Sequence, residues 1–288
     1  MSPDVAAVTL GVASRRAAPR KAWIFLACLV LEVLVFAILP LSARLPMRPL
    51  LDGHGSLTGI LLGAALLARR SDAGRQYWQL LYAFFAGGAA VLLSTLFGER
   101  LIEALPVIPV SSAWIAFAKA SEGLWRVAAI LLLMAAGGID PRSLYLARGR
   151  LGLGLAIGVA GFVVCAALAF FPLLSQAGGW EKLVSLAPWI LLFVLANGFA
   201  EELLFRGLFL KQYEVFLGKG LSNLLAASVF TLLHVRVTYV SELAVFLLVL
   251  FPLALLWGWL MQKTGSIWGS ALFHAGADCL LIFGIFGA

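Results

Sequence analysis

Charged side chains stand close together inside an apolar stretch of this chain. Glu201 and Glu202 are adjacent, and Arg206 follows four residues after Glu202. An ionised side chain in membrane hydrocarbon costs roughly 2.5–3.5 kcal/mol on insertion scales, so three in one apolar stretch require a reason. On a helix, Glu202 and Arg206 can pair as i and i+4, whereas Glu201 is rotated by about 100°. We therefore predict that Arg206 neutralises Glu202 and that Glu201 faces a polar cavity.

Two later apolar stretches carry further polar groups at helical spacing. His234 ends a Phe230-x-x-x-His234 step, and His274 precedes Asp278 by four residues. Residues at i and i+4 share one face of a helix, so His274 and Asp278 point in the same direction. Ionisable groups inside a membrane are expected to serve a function. The sequence thus predicts polar groups on three separate helices that can meet in one cavity.

Two chemistries suit these groups. Glu201, His234, His274 and Asp278 offer the imidazole nitrogens and carboxylate oxygens that zinc accepts in catalytic sites, so they are the candidate ligands of a divalent metal such as Zn. The same groups suit a metal-independent reaction, in which Glu201 and His234 activate a water and His274 and Asp278 stabilise an oxyanion. Asn197, one turn before Glu201, is expected to orient Glu201 or a bound water. The spacing leaves both chemistries open.

The composition places these groups in a membrane. Of the 288 residues, 62% are hydrophobic and 12% are charged, whereas a soluble domain is about half apolar and a quarter charged. The net charge of +7 is spread over short clusters between apolar stretches. This pattern follows from membrane topology and argues against a nucleic-acid partner. The sequence predicts an all-α, polytopic transmembrane bundle of about 8–9 helices in contact with membrane lipids.

The apolar stretches predict where the membrane is crossed. About 30 Å of hydrocarbon requires roughly 20 residues of helix. The predicted spans, of which the second and seventh are short, are 22–42, 56–68, 77–97, 113–136, 151–174, 187–210, 221–236, 242–262 and 266–287. Gly154 and Gly158 form a GxxxG step, which predicts that 151–174 packs centrally. We divide the chain into a cytoplasmic basic segment 1–21, N-terminal transmembrane helices 22–136 and a catalytic core 137–288.

The loops predict the orientation of the protein. With a cytoplasmic N-terminus, alternation along the chain places thirteen basic residues in inside segments and five in outside segments. This is the bias that the positive-inside rule expects. At 1.5 Å per residue, Glu201 and His274 should lie roughly 12–15 Å from the cytoplasmic side. A water-filled pocket that opens to the cytoplasm fits this depth.

Another charged cluster lies in the predicted span 113–136. Lys119, Glu122 and Arg126 are at i, i+3 and i+7. Such groups more often neutralise one another near a membrane interface than form a site. We therefore expect a locally neutralised cluster near the outer interface, and the alternative is a second polar site or a substrate lid.

The three motifs resemble those of the CPBP family, the CAAX-protease and bacteriocin-processing (Abi) intramembrane endopeptidases. Glu-Glu-x-x-x-Arg, Phe-x-x-x-His and His-x-x-x-Asp occur in the family's order, one in each span, and the resemblance covers about residues 120–288. It implies that Glu201 and His234 activate the attacking water, and that His274 and Asp278 stabilise the oxyanion. In the same scheme, the residues that support the site are Glu202 and Arg206.

The resemblance also implies a function and leaves alternatives. It implies a membrane endopeptidase, in a bacterial inner membrane, that cleaves a membrane-anchored peptide or a prenylated protein. Many members carry Asn where this chain carries Asp278, and an ionised Asp has no proton to donate. Asp278 is therefore expected to be protonated, to bind a metal or to orient His274. The alternatives are a non-enzymatic bacteriocin-immunity or membrane scaffold protein of the same fold, and a proton-coupled transporter.

Overall fold

The structure, a computed structural model, describes residues 20–37, 47–98, 100–103 and 106–287. These residues are helical with connecting turns and contain no strand, so the predicted all-α fold is confirmed. The predicted basic segment 1–21 lies outside the described residues except for its last two positions. The end of the predicted span 22–42 lies outside them as well.

The N-terminal part consists of four long helices. Helix α1 covers 20–32 and continues into a π-helical turn, Val33–Ala37; the others are α2 (Met47–Arg70), α3 (Trp78–Phe97) and α4 (Ser112–Ala136). A 3-10 turn, Arg75–Tyr77, precedes α3, and a short helix, Arg100–Glu103, follows it. Helix α4 begins where the Ser111 hydroxyl accepts a hydrogen bond from the Trp114 amide, a typical N-cap.

The C-terminal part carries the three motifs. A 3-10 turn, Pro141–Leu144, leads to α5 (Leu151–Leu174), α6 (Gly179–Glu202), a π-helical turn (Leu203–Gly207), α7 (Leu210–Leu233), α8 (Leu243–Thr264), α9 (Trp268–Cys279) and α10 (Ile282–Phe286). Within the described ranges, six helices are long and apolar enough to cross a membrane. The chain is therefore an integral membrane protein.

Several predicted spans differ from these helices. The short span 56–68 is wrong in length, because α2 also includes the polar stretch from Asp52, where the Ser56 hydroxyl donates to the Asp52 carbonyl. The span 221–236 corresponds to the second part of α7, because Gly218, whose φ is +76°, interrupts this helix, and the part after it ends at Leu233. The span 187–210 starts earlier, at Gly179.

The last predicted span, 266–287, is wrong as one helix. It is divided into α9 and α10. The Leu280 and Leu281 amides donate to the Ala277 and Asp278 carbonyls, three residues back. Bonds of this spacing tighten the final turn and end the α-helix.

Helix α5 packs through small residues but lies at the outside of the bundle. Gly154 and Gly158 are buried against Gly269 of α9, where a Cβ on Gly158 would lie 2.5 Å from the Gly269 carbonyl oxygen. The predicted close approach is thus present. Most of the other α5 side chains are exposed, so the prediction of a central position is wrong. The core instead lies around α3, the π-helical turn after α6, and α7.

The helices alternate in direction, which gives the bundle two ends. We call the first the basic end: it holds the start of α1, the α2–α3 turn, the α4–α5 connection, the α6–α7 turn and the α8–α9 turn. Two backbone hydrogen bonds hold its segments together, from the Arg150 amide to the Thr264 carbonyl at 2.7 Å and from the Ile267 amide to the Tyr145 carbonyl at 3.1 Å. The opposite end holds segments 106–111, 175–178 and 234–242 and the α9–α10 junction.

Candidate active site

The Glu202–Arg206 pair is fully buried, at 0% exposure for both side chains. Arg206 Nη1 donates to Glu202 Oε1, and Nη2 donates to the Ala254 carbonyl at 3.1 Å. The guanidinium carbon also lies 4.8 Å from the ring centroid of Phe230 and 5.4 Å from that of Trp257. Aromatic faces stabilise a cation in this arrangement. The predicted neutralisation of Glu202 by Arg206 is thus present in the geometry.

The helix geometry changes directly after the two glutamates. The Leu208 amide donates to the Leu203 carbonyl at 2.9 Å, a spacing of five residues that defines the π-helical turn. Turns of this kind are rare and are frequent at functional sites. Periodicity of an α-helix does not predict such a turn from the sequence.

A close approach of α6 and α9 brings their polar groups together. A Cβ placed on Gly198 would lie 2.8 Å from the Ala275 amide nitrogen and 2.9 Å from the Ala271 carbonyl oxygen. Real Cβ atoms are almost never found so close to backbone atoms. Glycine is therefore required at this crossing, which sets Glu201 and Glu202 beside His274.

The His274 ring lies among three carboxylates. Its Nδ1 is 2.9 Å from Glu202 Oε1, while its Nε2 is 3.7 Å from Glu201 Oε2 and 3.6 Å from Asp278 Oδ1. Trp257 stacks on the ring at a centroid distance of 4.1 Å and an interplanar angle of 8°. An ionised carboxylate only accepts hydrogen bonds, so Nδ1 donates to Glu202. Nε2 is then the ring nitrogen that faces Glu201 and Asp278.

Both carboxylate oxygens of Glu202 accept hydrogen bonds from neighbouring side chains. Its Oε1 accepts from Arg206 and from His274, and its Oε2 accepts from the Ser270 hydroxyl. A fully bonded and buried carboxylate holds its neighbours in place. This arrangement matches the supporting role expected for Glu202. Ser270 is a further residue that supports the site, and its sequence pattern did not indicate this contact.

His234 directly follows the last residue of α7 and has one ring nitrogen bound to the backbone. Its Nδ1 lies 2.7 Å from the Phe230 carbonyl oxygen. A carbonyl only accepts, so Nδ1 carries the hydrogen and Nε2 keeps its lone pair. The Phe-x-x-x-His spacing thus has a structural purpose, because it sets the tautomer of His234.

Asn197 contacts a different partner from the predicted one. Its Nδ2 donates to Asp278 Oδ2 at 2.9 Å, so Asn197 orients Asp278 and not Glu201, while the alternative that it orients a bound water stays a prediction. The antiparallel packing of α6 against α9 places Asp278 opposite Asn197. The buried Oδ1 of Asn197 has no hydrogen-bond partner within the described part of the chain.

Lys119 belongs to this site. Its Nζ lies 3.7 Å from Glu201 Oε1 and 3.4 Å from Glu122 Oε2, and Glu122 in turn pairs with Arg126 at 3.1 Å. The expected local neutralisation is present, and Lys119 also contacts Glu201, which the sequence analysis did not predict. A signal for this contact was available in the sequence, because Glu201 lacked a cation of its own once Arg206 was assigned to Glu202.

One cavity of about 640 Å³ connects these groups. It brings together all four side chains predicted to be catalytic, with Asn197 and Lys119 beside them. The polar members of its lining are Lys119, Asn197, Glu201, His234, Tyr239, Ser241, Glu242, His274 and Asp278. Its other walls are mainly apolar and come from α8 and from α9–α10. A mostly apolar cavity with a few converging polar groups is the usual form of a binding or active site.

The mouth of the cavity lies at the opposite end. Its lining includes the loop residues 239–242 and no residue of the turns at the basic end. The expectation of a pocket that opens on the side of the basic loops is therefore wrong. The depth estimate placed Glu201 and His274 in the half of the bundle near the basic end, but the open space extends from them in the other direction.

Tyr239 is a further polar group in the cavity that sequence reasoning missed. Burial raises the pKa of its hydroxyl above the ordinary value, and the carboxylates of Glu201 and Asp278 raise this pKa further. The phenol therefore stays protonated and can donate a hydrogen bond. A single tyrosine in a loop shows no spacing pattern that would identify it.

The arrangement does not fit a metal site. Within the described ranges, no group of three or more His, Cys, Asp or Glu side chains is suited to hold a metal ion. Lys119 brings an ammonium group to Glu201, where a metal would compete with it. We therefore derive no reaction step through the divalent metal that the sequence left open.

Comparisons with known proteins identify the region that carries the motifs. Residues 183–280 match the family model described as type II CAAX prenyl endopeptidase Rce1-like. Neither a curated protein nor a solved structure matches the chain. The matched residues include all three motifs and exclude α4 with Lys119. Residues 183–280 thus carry an Rce1-like type II CAAX prenyl endopeptidase domain, consistent with the CPBP family.

Proposed function

We propose that this protein is an intramembrane endopeptidase that hydrolyses a peptide bond of a membrane-associated polypeptide. One observation carries the proposal: Glu201, His234, His274 and Asp278 line a single cavity inside an Rce1-like domain. The groups differ in their contacts, which gives each a distinct role. Glu201 and His234 have atoms that can accept a proton from water. His274 is a fixed hydrogen-bond donor, and Asp278 orients it.

The first step is activation of water. His234 Nε2 keeps its lone pair, and the Glu201 carboxylate faces the same cavity. A water held between them loses a proton to one of these bases as its oxygen forms a bond to the substrate carbonyl carbon. Lys119 and His274 each lie 3.7 Å from a Glu201 oxygen and hold the carboxylate in place.

The second step is stabilisation of the oxyanion. The carbonyl oxygen becomes negative as the new C–O bond forms, and fixed donors stabilise that charge. Three carboxylates surround the His274 ring and favour its doubly protonated form, in which Nδ1 donates to Glu202 and Nε2 also carries a hydrogen. This Nε2–H and the hydroxyl of Tyr239 serve as donors. Asp278 acts as an acceptor that orients His274, because it lies 3.6 Å from Nε2 and accepts from Asn197. This role resolves the difficulty that an ionised Asp has no proton to donate.

The final step breaks the peptide bond. The C–N bond cleaves as the amine nitrogen takes the proton that the base had removed from water. The products are a carboxylic acid and an amine, which together ionise to a carboxylate and an ammonium group, so atoms and charge balance without an oxidant or a further reactant. Glu202 and Arg206 take no part in proton transfer and keep α6, α8 and α9 in register.

The substrate is proposed as a membrane-anchored peptide or a prenylated protein. The purified protein in liposomes is incubated with one peptide sequence in three forms, acylated, prenylated and without lipid, and new termini are identified by mass spectrometry. We expect cleavage of a lipid-bearing form by the unaltered protein and none by a His274→Ala variant. Saturable binding of these peptides without new termini would instead support a non-enzymatic immunity or scaffold protein.

A further inference from the structure

The basic residues of the described chain are concentrated at one end of the bundle. The basic end carries eleven of them and the opposite end four: Arg20, Lys21, Arg69, Arg70, Arg75, Arg142, Arg148, Arg150, Lys211, Lys219 and Lys263, against Arg48, Arg100, Lys182 and Arg236. Short loops rich in Lys and Arg stay in the cytoplasm. This distribution assigns the basic end to the cytoplasm and the opposite end to the other face of the membrane.

The cavity extends toward the non-cytoplasmic face. Its innermost polar groups are at Glu201 and His274, and the outermost part of its lining includes Tyr239, Ser241 and Glu242. These three belong to the α7–α8 connection at the opposite end, and Ser241 and Glu242 are exposed. A polypeptide that approaches from the cytoplasm would meet the closed turns of the basic end.

The walls of the mouth are also open to the side. Val245 and Val249 of α8 and Leu280 at the α9–α10 junction line the cavity, yet they are 58%, 51% and 44% exposed. At this depth of the bundle, exposed apolar side chains face lipid. A substrate whose own apolar segment lies in the bilayer can therefore slide toward the mouth without leaving the membrane.

We propose that the substrate is a membrane-tethered polypeptide whose scissile segment lies on the non-cytoplasmic face and enters the cavity through residues 239–242, α8 and the α9–α10 junction. This inference rests on the proposed peptidase function for its chemistry, but the side of access rests on charge distribution and cavity shape alone.

Side-selective thiol labelling tests the access side. The three native cysteines are buried, so the unaltered protein serves as the unlabelled control. Ser241→Cys places a thiol at the mouth, and Ala73→Cys places one in the exposed α2–α3 turn of the basic end. In intact cells, a membrane-impermeant maleimide should label Ser241→Cys at least tenfold more than Ala73→Cys, and permeabilisation should abolish the difference. Selective labelling of Ala73→Cys would overturn the proposal.

Cleavage in sealed vesicles tests the same claim by a different readout. An acylated peptide with a fluorophore and a quencher is added to right-side-out and to inside-out vesicles, with Glu201→Gln vesicles as background. We expect fluorescence to rise in right-side-out vesicles, and a rise only in inside-out vesicles would overturn the access side. If neither preparation cleaves while Ser241→Cys labels from outside, the proposed peptidase function is contradicted and the access side stands.

Discussion

Lys119 and Glu201 come from distant parts of the chain, yet Lys119 Nζ lies 3.7 Å from Glu201 Oε1. Lys119 is on α4, outside the Rce1-like residues 183–280, whereas Glu201 belongs to the first motif. The cation thus reaches the candidate base from a helix that the family model does not cover. Helix α4 therefore contributes a side chain to the candidate active site.

Replacement of Lys119 by Met should lower kcat and leave KM nearly unchanged. The ammonium group positions the Glu201 carboxylate through an ion pair, and a displacement of a reacting group by about 1 Å can cost about 10²-fold in rate. Lys119→Arg should restore most of the activity, since it keeps the charge. Lys182→Met, on α6 but remote from the cavity, is the matched control. Equal activity of Lys119→Met and the control would contradict this positioning role.

The two histidines should respond differently to substitution by Gln. His234→Gln removes the Nε2 lone pair, and loss of a general base costs typically about 10²–10⁴-fold in rate. Its melting temperature should stay near that of the unaltered protein. His274→Gln should lower both activity and melting temperature, because buried Glu202 loses a donor at a cost of about 1–3 kcal/mol. Thermal unfolding in detergent, measured beside the cleavage rate, separates the two; equal loss of stability in both variants contradicts the assignment.

A methyl group at the α6–α9 crossing should disturb the site. Gly198→Ala forces the two backbones apart, since its Cβ would lie within 3 Å of two α9 backbone atoms. Overpacking of this kind costs typically about 1–3 kcal/mol, and a displacement of about 1 Å can cost about 10²-fold in rate. Gly152→Ala on α5 is the control, because no heavy atom lies within 4 Å of its Cβ position. The account fails here if both variants cleave substrate at the same rate.

The proposed mechanism predicts activity without a bound divalent metal. After dialysis against EDTA, the purified protein should retain its cleavage rate, and elemental analysis should find no stoichiometric zinc. The physical reason is the ammonium group of Lys119 beside Glu201, which occupies the position of a competing cation. Loss of activity on chelation, with recovery on addition of Zn²⁺ but not of Mg²⁺, would contradict this mechanism and support the metal-dependent alternative.

Local spacing was sufficient to predict part of the site. Glu202 and Arg206 pair because residues at i and i+4 of a helix are neighbours, and the side chains of His274 and Asp278 approach one another for the same reason. The apolar pattern likewise predicted α5 from Leu151 to Leu174 and most of α8. Interactions within one helix depend only on the sequence of that helix, which explains this agreement.

The spacing of residues along one helix did not predict the contacts between helices. Lys119 meets Glu201 and Asn197 meets Asp278 only because α4 and α9 pack against α6 in a particular register. The requirement for glycine at Gly198 arises from the backbone of α9, which the sequence of α6 does not reveal. The mouth of the cavity near Tyr239 depends on how α10 packs beside the α7–α8 connection. Each of these features depends on tertiary packing.

The most direct test of the central claim is the cleavage rate of a Glu201→Gln variant. Glu181→Gln, at the start of the same helix and far from the cavity, is the matched control. The account predicts that Glu201→Gln folds with a near-normal melting temperature and cleaves the lipid-bearing peptide about 10²–10⁴-fold more slowly, as expected for loss of a general base, while Glu181→Gln is unaffected. Cleavage by folded Glu201→Gln protein at the unaltered rate would contradict the assignment of Glu201 and, with it, the proposed peptidase site.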